Sequence, residues 1–391
     1  MNTTTCLHPE QPDSAIRTTA PGSARKRVCV IAPSLRLYGG QSVQAARLID
    51  GLNQEPDICA ELLPINPQAP GLLRPLQRVK YLRTLVTEAI YLWLLLTRIP
   101  RADLVHIYSA AYLSFALAPT PALLLARLFG KPALLNYHSG EAADHLTRWR
   151  RTALPAMRLA QRVIVPSEWL AGIFARFGIT AEVIQNTVEA AQFRFHERCP
   201  LRPVLLSNRN FECHYNVADT LRAFAIIERR MPQARLIVAG DGSEREQLRQ
   251  LAAELKLTQI EFTGAVPPGQ IAALYDRADI FINASVVDNQ PLSIIEAFAC
   301  GLAVVTTGAG GIPQMVRHGR NGIVVEPGDY RALAEAVLSL CAPESNAAEM
   351  VSQALADSRH YTWSAVRSRW LELYASMLKR PLLQPENTRT I

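Results

Sequence analysis

"DIFINASVVDNQPLSIIEAFACGLAVVTT", residues 279–307, reads as strand, loop, helix and strand, and that order decides the fold. "DIFINAS" and "LAVVTT" are short runs rich in Ile, Val and Leu, as strands covered on both faces must be. Between them "VVDNQ" leads into a helix. Pro291 can start it, because a first-turn proline loses no needed N–H, and Gly301 can end it. A strand that crosses by a helix to the next strand makes a parallel pair with a right-handed connection.

The rhythm recurs outward from this stretch. "PVLLSN", "ARLIVAG", "IEFTG" and "GIVVE" belong to the same half, while "RVCVIAPS", "ADLVHIYS", "PALLNYHS" and "RVIVPS" make up an earlier one. It lapses over "IQNTVEAAQFRFHERCPLRP" (184–203), where Pro200 and Pro203 precede a fresh strand. The expected organisation is a disordered polar tail over 1–24, an α/β domain over 25–185, a linker over 186–202 and a second α/β domain over 203–360. An amphipathic docking helix over 361–378 and a frayed tail over 379–391 complete it. Open parallel sheets bind ligands beyond the carboxyl ends of their strands. Two doubly wound, Rossmann-like domains therefore predict a cleft between them, lined by the loops that follow strands.

Bulk properties agree. A chain of 391 residues exceeds what one core usually organises, and 49% apolar with 19% charged residues excludes a disordered protein. Seven cysteines without a CxxC pair or Cys/His ligand spacing fit reduced thiols in the cytoplasm, with no disulfides. Residues 1–24 lack the basic start and apolar run of a secretion signal. The greasiest run, "LVTEAIYLWLLLTRIP" (85–100), contains Glu88 and stops at Arg98, too short to span a bilayer.

The net charge of +7 is concentrated in residues 25–185, which carry 19 Lys/Arg against 10 Asp/Glu. Arg74, Arg78, Lys80, Arg83, Arg98 and Arg101 surround the greasy run. Residues 72–101 thus suit either a core helix with solvated flanks or peripheral contact with the inner face of an anionic membrane. Without an Arg-rich tract, a zinc finger or basic residues interleaved with aromatics, no nucleic-acid partner is expected.

The opening stretch also carries chemistry. The free N–H groups at Leu292 and Ser293, with the helix dipole behind them, make an anion site suited to a diphosphate. Glu296 lies one turn inside, among Ile294, Ile295, Ala297 and Phe298, and a carboxylate buried there needs partners. It can accept both hydroxyl protons of a cis-diol such as ribose, while Asp288 can hold hydroxyls farther along the ligand. Gly39 and Gly40, in "RLYGGQSVQAARLIDGL", let backbone approach a phosphate or acceptor; a tight strand–helix turn would use them equally well. Glu141, Asp144 and His145 have neither HExxH nor HxxEH spacing, so no metal site is expected.

Together "DNQPLSIIE" and "AFACGLAVVTTGAGGIP", with Gly310 and Gly311, resemble the signature of the retaining glycosyltransferases of family 4, the group 1 glycosyltransferases. Its members have an acid, seven residues, a glutamate, a helix end, a strand and a Gly-Gly turn. The likeness runs through "LSNRNFE", "ARLIVAGDGSEREQLRQLA", "IEFTGAVPPGQIAALYDRADIFINAS" and "NGIVVEPGD", and is fainter in the first half, at Gly39–Gly40 and "GKPALLNYHSGE". It implies the GT-B fold of two Rossmann-like domains. It also implies that Asp288 meets the donor sugar, Glu296 the ribose, and the backbone of Asn289, Gln290, Pro291, Leu292 and Ser293 the phosphates. His138 would face the donor sugar, with the rival His106 packed in the core, and Gly264 would touch the base.

Two departures stand out. Asp288 occupies a position where the family usually has glutamate, and is shorter by one C–C bond, about 1.5 Å. Arg209 matches a diphosphate-clasping arginine, but "NRNFECHYN" offers only His214 where a lysine is usual, and imidazole replaces a permanent cation poorly.

The implied activity is retaining, metal-independent transfer of a hexosyl-type sugar from a nucleoside diphosphate sugar to the hydroxyl of a lipid-linked or saccharide acceptor, in cell-surface polysaccharide or glycolipid synthesis. No cofactor is implied beyond the donor itself. A catalytically weak nucleotide-sugar-binding scaffold, and a sugar-nucleotide hydrolase or epimerase on the same frame, remain alternatives.

Overall fold

The computed structural model describes residues 25–35, 39–69, 71, 77, 79–109, 111–198 and 200–378. The expected tails at 1–24 and 379–391, and Arg74 and Arg78, lie outside the described residues.

Two parallel six-stranded sheets form the frame. The first comprises β1 (Lys26–Ala32), β2 (Ile58–Pro64), β3 (Leu104–Ser109), β4 (Ala133–Tyr137), β5 (Arg162–Val165) and β6 (Glu182–Val183), in the order β2-β1-β3-β4-β5-β6. The second comprises β7 (Val204–Asn208), β8 (Arg235–Ala239), β9 (Ile260–Gly264), β10 (Ile280–Asn283), β11 (Ala303–Thr307) and β12 (Ile323–Val325), in the order β12-β11-β10-β7-β8-β9. Each is doubly wound. Alternate residues of one strand enter opposite cores, because side chains in a strand point to alternate faces. In β1, Cys29 and Ile31 face one core while Val28, Val30 and Ala32 face the other. In β10, Ile280 and Ile282 separate from Phe281 in the same way.

Two strands were not expected. β2 is an edge strand holding Glu61, the half-exposed Leu62 and Pro64, so its apolar signal is diluted; β6 is only two residues long.

The Trp363–Leu378 helix follows the second domain in sequence yet packs on the first sheet. Trp370, Leu371 and Tyr374 share a core with Val30, Leu134 and Ile164. Arg367 grips Glu55 through two hydrogen bonds of 2.6 Å. Tyr374 Oη lies 2.7 Å from His106 Nδ1, and Asn136 Nδ2 lies 3.2 Å from Nε2, so His106 is a satisfied core residue. Burial holds its imidazole well below the usual range, hence neutral.

Candidate active site between the domains

The loops after β1, β4, β7, β10 and β11 meet at the carboxyl ends of both sheets. Pro291 sits one position before the first helical residue, not within the first turn, and the helix runs Leu292–Cys300. Gly301 closes it in the left-handed region (φ 78°), with its N–H bonded to the Phe298 carbonyl. The first-turn N–H groups of Leu292 and Ser293 have no intrahelical acceptor, as in any α-helix. Leu292 lies across from Gly40, where an added side chain would start 3.9 Å from Leu292 Cδ1. Among the described residues nothing lies within 4 Å of the equivalent point on Gly39, which caps the Gly40–Asn53 helix.

Glu296 points inward and is 6% exposed. Tyr275 Oη donates to its Oε2 at 2.9 Å, and Arg47 Nη2 stands 3.5 Å from Oε1. Burial raises its pKa above the ordinary carboxylate range, against the opposing pull of Arg47 and Tyr275. Neither partner was anticipated. Arg47 lies two helical turns beyond Gly40 on the same face, a spacing that could have revealed it; Tyr275 sits in "AALYDRAD" with nothing local to mark it.

Arg209, at the end of β7, is the hub of the site. Its Nη2 pairs with Asp288 Oδ2, its Nη1 donates to Ser293 Oγ at 3.1 Å, and its guanidinium lies 4.1 Å from the centre of the Tyr215 ring. Gly240 fits beneath it because any Cβ there would overlap the Arg209 carbonyl. Asp288 thus turns one oxygen to Arg209, while the other accepts the Asn289 N–H at 2.9 Å.

The remaining expected residues divide by contact. Asn289 accepts from Ser167 Oγ, and Gln290 binds the Asn186 backbone N–H at 2.6 Å, so both side chains fasten the loop to the other side of the cleft. His214 supports the loop through its carbonyl, which accepts from Val286 and Val287 at 2.9 and 3.2 Å; its ring stands against Tyr215. Gly264 ends the edge strand β9, and its carbonyl accepts from Gly240 N–H at 2.9 Å. His138 stacks on Tyr108 with ring centres 5.1 Å apart, and Gly140 just beyond it abuts Val287 and Asp288. Burial lowers the His138 pKa to about 4, so its imidazole is neutral at physiological pH.

Among the described residues, three buried polar atoms here have no hydrogen-bond partner: His138 Nε2, Arg209 Nε and Asn289 Nδ2. Native proteins rarely leave such valences unmet without a use for them. His145 also leaves its Nε2 without a partner among the described residues, but its ring is buried in the core, where Nδ1 shares a hydrogen bond of 2.9 Å with Tyr137 Oη, while Asp144 pairs with Arg148 at 2.8 Å. Among the described residues, no three His, Cys, Asp or Glu side chains converge as metal ligands.

Gly310 and Gly311 explain the Gly-Gly turn. Gly310 has φ 55°, and a Cβ on it would overlap the Asp288 carbonyl oxygen; one on Gly311 would overlap that of Asn289. Gly310→Ala is therefore expected to cost about 3 kcal/mol, combining left-handed strain with displacement of the Asp288 loop. Gly264→Ala, with φ 74° and nothing within 4 Å of the added Cβ among the described residues, should cost only about 1 kcal/mol. Chemical denaturation compares the two, and equal losses would remove the steric part of this account.

A cleft of about 700 Å³ opens beside Asp288. Tyr112, Glu141, Asp144, Arg148 and Trp169 line it from the first domain, with Val286, Val287 and Gly310 opposite. Tyr112 holds a left-handed backbone (φ 54°) and donates to Asp144 Oδ2 at 2.6 Å.

Residues 190–356 match the family described as "Glycosyl transferases group 1", and residues 38–192 match "Glycosyltransferase Family 4". A glycogen synthase of Mycobacterium tuberculosis is 27% identical over 310 residues, 73% of this chain and 71% of that protein. A GDP-mannose-dependent alpha-(1-6)-phosphatidylinositol monomannoside mannosyltransferase of Mycolicibacterium smegmatis is 32% identical over 170 residues, 41% of this chain and 44% of that one. The solved structure of Anabaena HepE in complex with UDP-glucose superposes with a TM-score of 0.71 at 19% identity, covering 90% of this chain and 99% of that chain. With two facing Rossmann-like domains of that GT-B architecture, and family matches that together run from residue 38 to residue 356, the chain belongs to the group 1 glycosyltransferases of family 4.

Proposed function

We propose that the protein transfers a sugar from a nucleoside diphosphate sugar to an acceptor hydroxyl with retention of anomeric configuration, in cell-surface polysaccharide or glycolipid synthesis at the inner face of the membrane. The arrangement around Arg209 carries this reading: one buried guanidinium joins Asp288, Ser293 and the start of the Leu292–Cys300 helix. Breaking the glycosidic bond leaves charge growing on the diphosphate. A fixed cation and first-turn N–H groups stabilise that charge without reorganising, and this serves in place of a metal clamp. Incoming phosphate competes with Asp288 for Arg209, which frees the Asp288 carboxylate to accept hydroxyl protons of the donor sugar. Glu296, oriented by Tyr275 and Arg47, takes the ribose hydroxyls. His138, kept neutral, offers Nε2 to a sugar hydroxyl; activity should therefore show no break from its titration between pH 5 and 8, and a pH profile of His138→Gln against wild type checks this.

The cleft holds the acceptor. Tyr112 and Trp169 present aromatic faces, Glu141 and Asp144 accept hydroxyl protons, and the charge of Arg148 is engaged by Asp144, which suits an uncharged saccharide. Anabaena HepE with UDP-glucose and the phosphatidylinositol monomannoside mannosyltransferase are consistent with such a donor and acceptor. A second reading, a donor-binding scaffold, draws on the absence of lysine between Arg209 and Asn216. Incubating sugar nucleotides with membrane lipid extracts distinguishes the outcomes. Free nucleotide plus a new α-linked glycolipid from an α-linked donor supports transfer, free sugar means hydrolysis, an isomer means epimerisation, and binding without consumption means a scaffold.

A further inference from the structure

Among the described residues no helix is long and apolar enough to cross a membrane, yet the Lys80–Arg98 helix is apolar on two opposite sides. Tyr91 and Leu95 are buried in the first domain's core. Leu82, Leu85, Leu92, Trp93 and Leu96 are all exposed, and at 3.6 residues per turn they fall within one arc of roughly 100°. Leu85 is 69% and Trp93 61% exposed, far more than surface leucines need be. The adjoining Pro119–Leu128 helix buries Ala122, Leu123 and Ala126 in the same core and exposes Leu124 and Leu128, the latter 73% accessible, with Phe129 just beyond. Residues 80–101 and 111–131 carry six Lys/Arg and one acid, the half-buried Glu88.

From this we infer that the outer face of these two helices is a docking surface for an anionic lipid bilayer, with the leucines and Trp93 entering the acyl boundary and Arg83, Arg101 and Arg127 meeting headgroups. Charge complementarity selects this occupant. Pairing the patch with itself in a symmetric dimer would bring its basic rims together, whereas an anionic surface neutralises them. The exposed Leu113 follows Tyr112 of the cleft directly in sequence, and its helix, Tyr112–Leu117, packs against the Pro119–Leu128 helix. The inference deepens the membrane part of the proposed function, but its test needs no sugar nucleotide and no turnover.

The full chain is mixed with vesicles of phosphatidylcholine alone, or with one-third phosphatidylglycerol, and floated on a density gradient at low and at high salt. Flotation is expected with the anionic vesicles and should weaken with salt, with a blue shift of tryptophan emission that Trp93→Phe abolishes. The combination Leu85→Glu, Trp93→Glu and Leu128→Glu alters only exposed positions and should lower partitioning about tenfold or more, with the melting temperature unchanged. Protein that stays at the bottom with anionic vesicles, or a triple variant that floats as well as wild type, overturns the inference. So does sedimentation showing a lipid-free dimer that the triple variant dissolves, which would assign the face to a second copy. Because donor binding is read separately by calorimetry, failure here leaves the transferase reading standing, and failure there leaves this one.

Discussion

Arg209→Ala should lower turnover by about two to three orders of magnitude, the usual consequence of removing a preorganised group that meets developing negative charge. The loss arises at the transition state, where the leaving diphosphate has more charge than in the bound donor, so kcat should fall more than donor affinity. The variant also leaves the Asp288 carboxylate, 9% exposed, without its cation. Arg209→Lys separates the effects, because lysine restores the charge but not the planar fork that reaches Asp288 and Ser293 together. A loss of about tenfold is expected for it. Steady-state kinetics on folded protein decide the matter; wild-type turnover in Arg209→Ala would remove the residue from the mechanism.

Donor affinity should drop about thirtyfold to nearly a thousandfold in Glu296→Ala, equivalent to roughly 2–4 kcal/mol of charge-assisted hydrogen bonding to the ribose. Titration calorimetry reads it directly, and unchanged affinity in a folded variant would count decisively against the ribose assignment. The raised pKa of Glu296 adds a pH signature. As pH falls through that value the carboxylate becomes protonated and loses acceptor capacity, so affinity should weaken while ordinary carboxylates are still ionised. Glu296→Gln should abolish this dependence. Stability runs the other way. A carboxyl whose folded pKa lies above its unfolded pKa contributes stability at low pH that is lost as pH rises through the folded value. Near neutrality, the ligand-free Glu296→Gln protein should therefore be at least as stable as wild type while binding donor more weakly.

The frame was legible because strands buried on both faces declare themselves as unbroken Val, Ile and Leu runs. β10 and β11 were unmistakable for that reason, and β2 was missed because an edge strand tolerates Glu61 and Pro64. At the site, the local features were legible: the spacing of Asp288 and Glu296, the glycines that clear Asp288 and Asn289, and Arg209 at a strand end. The partners were not. Arg47 reaches Glu296 from the other domain, marked locally only by its helical spacing from Gly40, and Tyr275 reaches it from the preceding helix with no local mark; a contact across a cleft leaves no pattern that links its two ends in sequence. Nor could spacing show that Asn289 and Gln290 use their side chains to tie the loop to Ser167 and Asn186.

Because Trp370, Leu371 and Tyr374 seal the first sheet, the chain cannot finish its amino-terminal half while it emerges from the ribosome. Val30, Leu134 and Ile164 must wait, uncovered, through synthesis of the whole second half. A fragment ending before Trp363 should accordingly aggregate, and a separately supplied peptide of the Trp363–Leu378 segment should rescue its solubility.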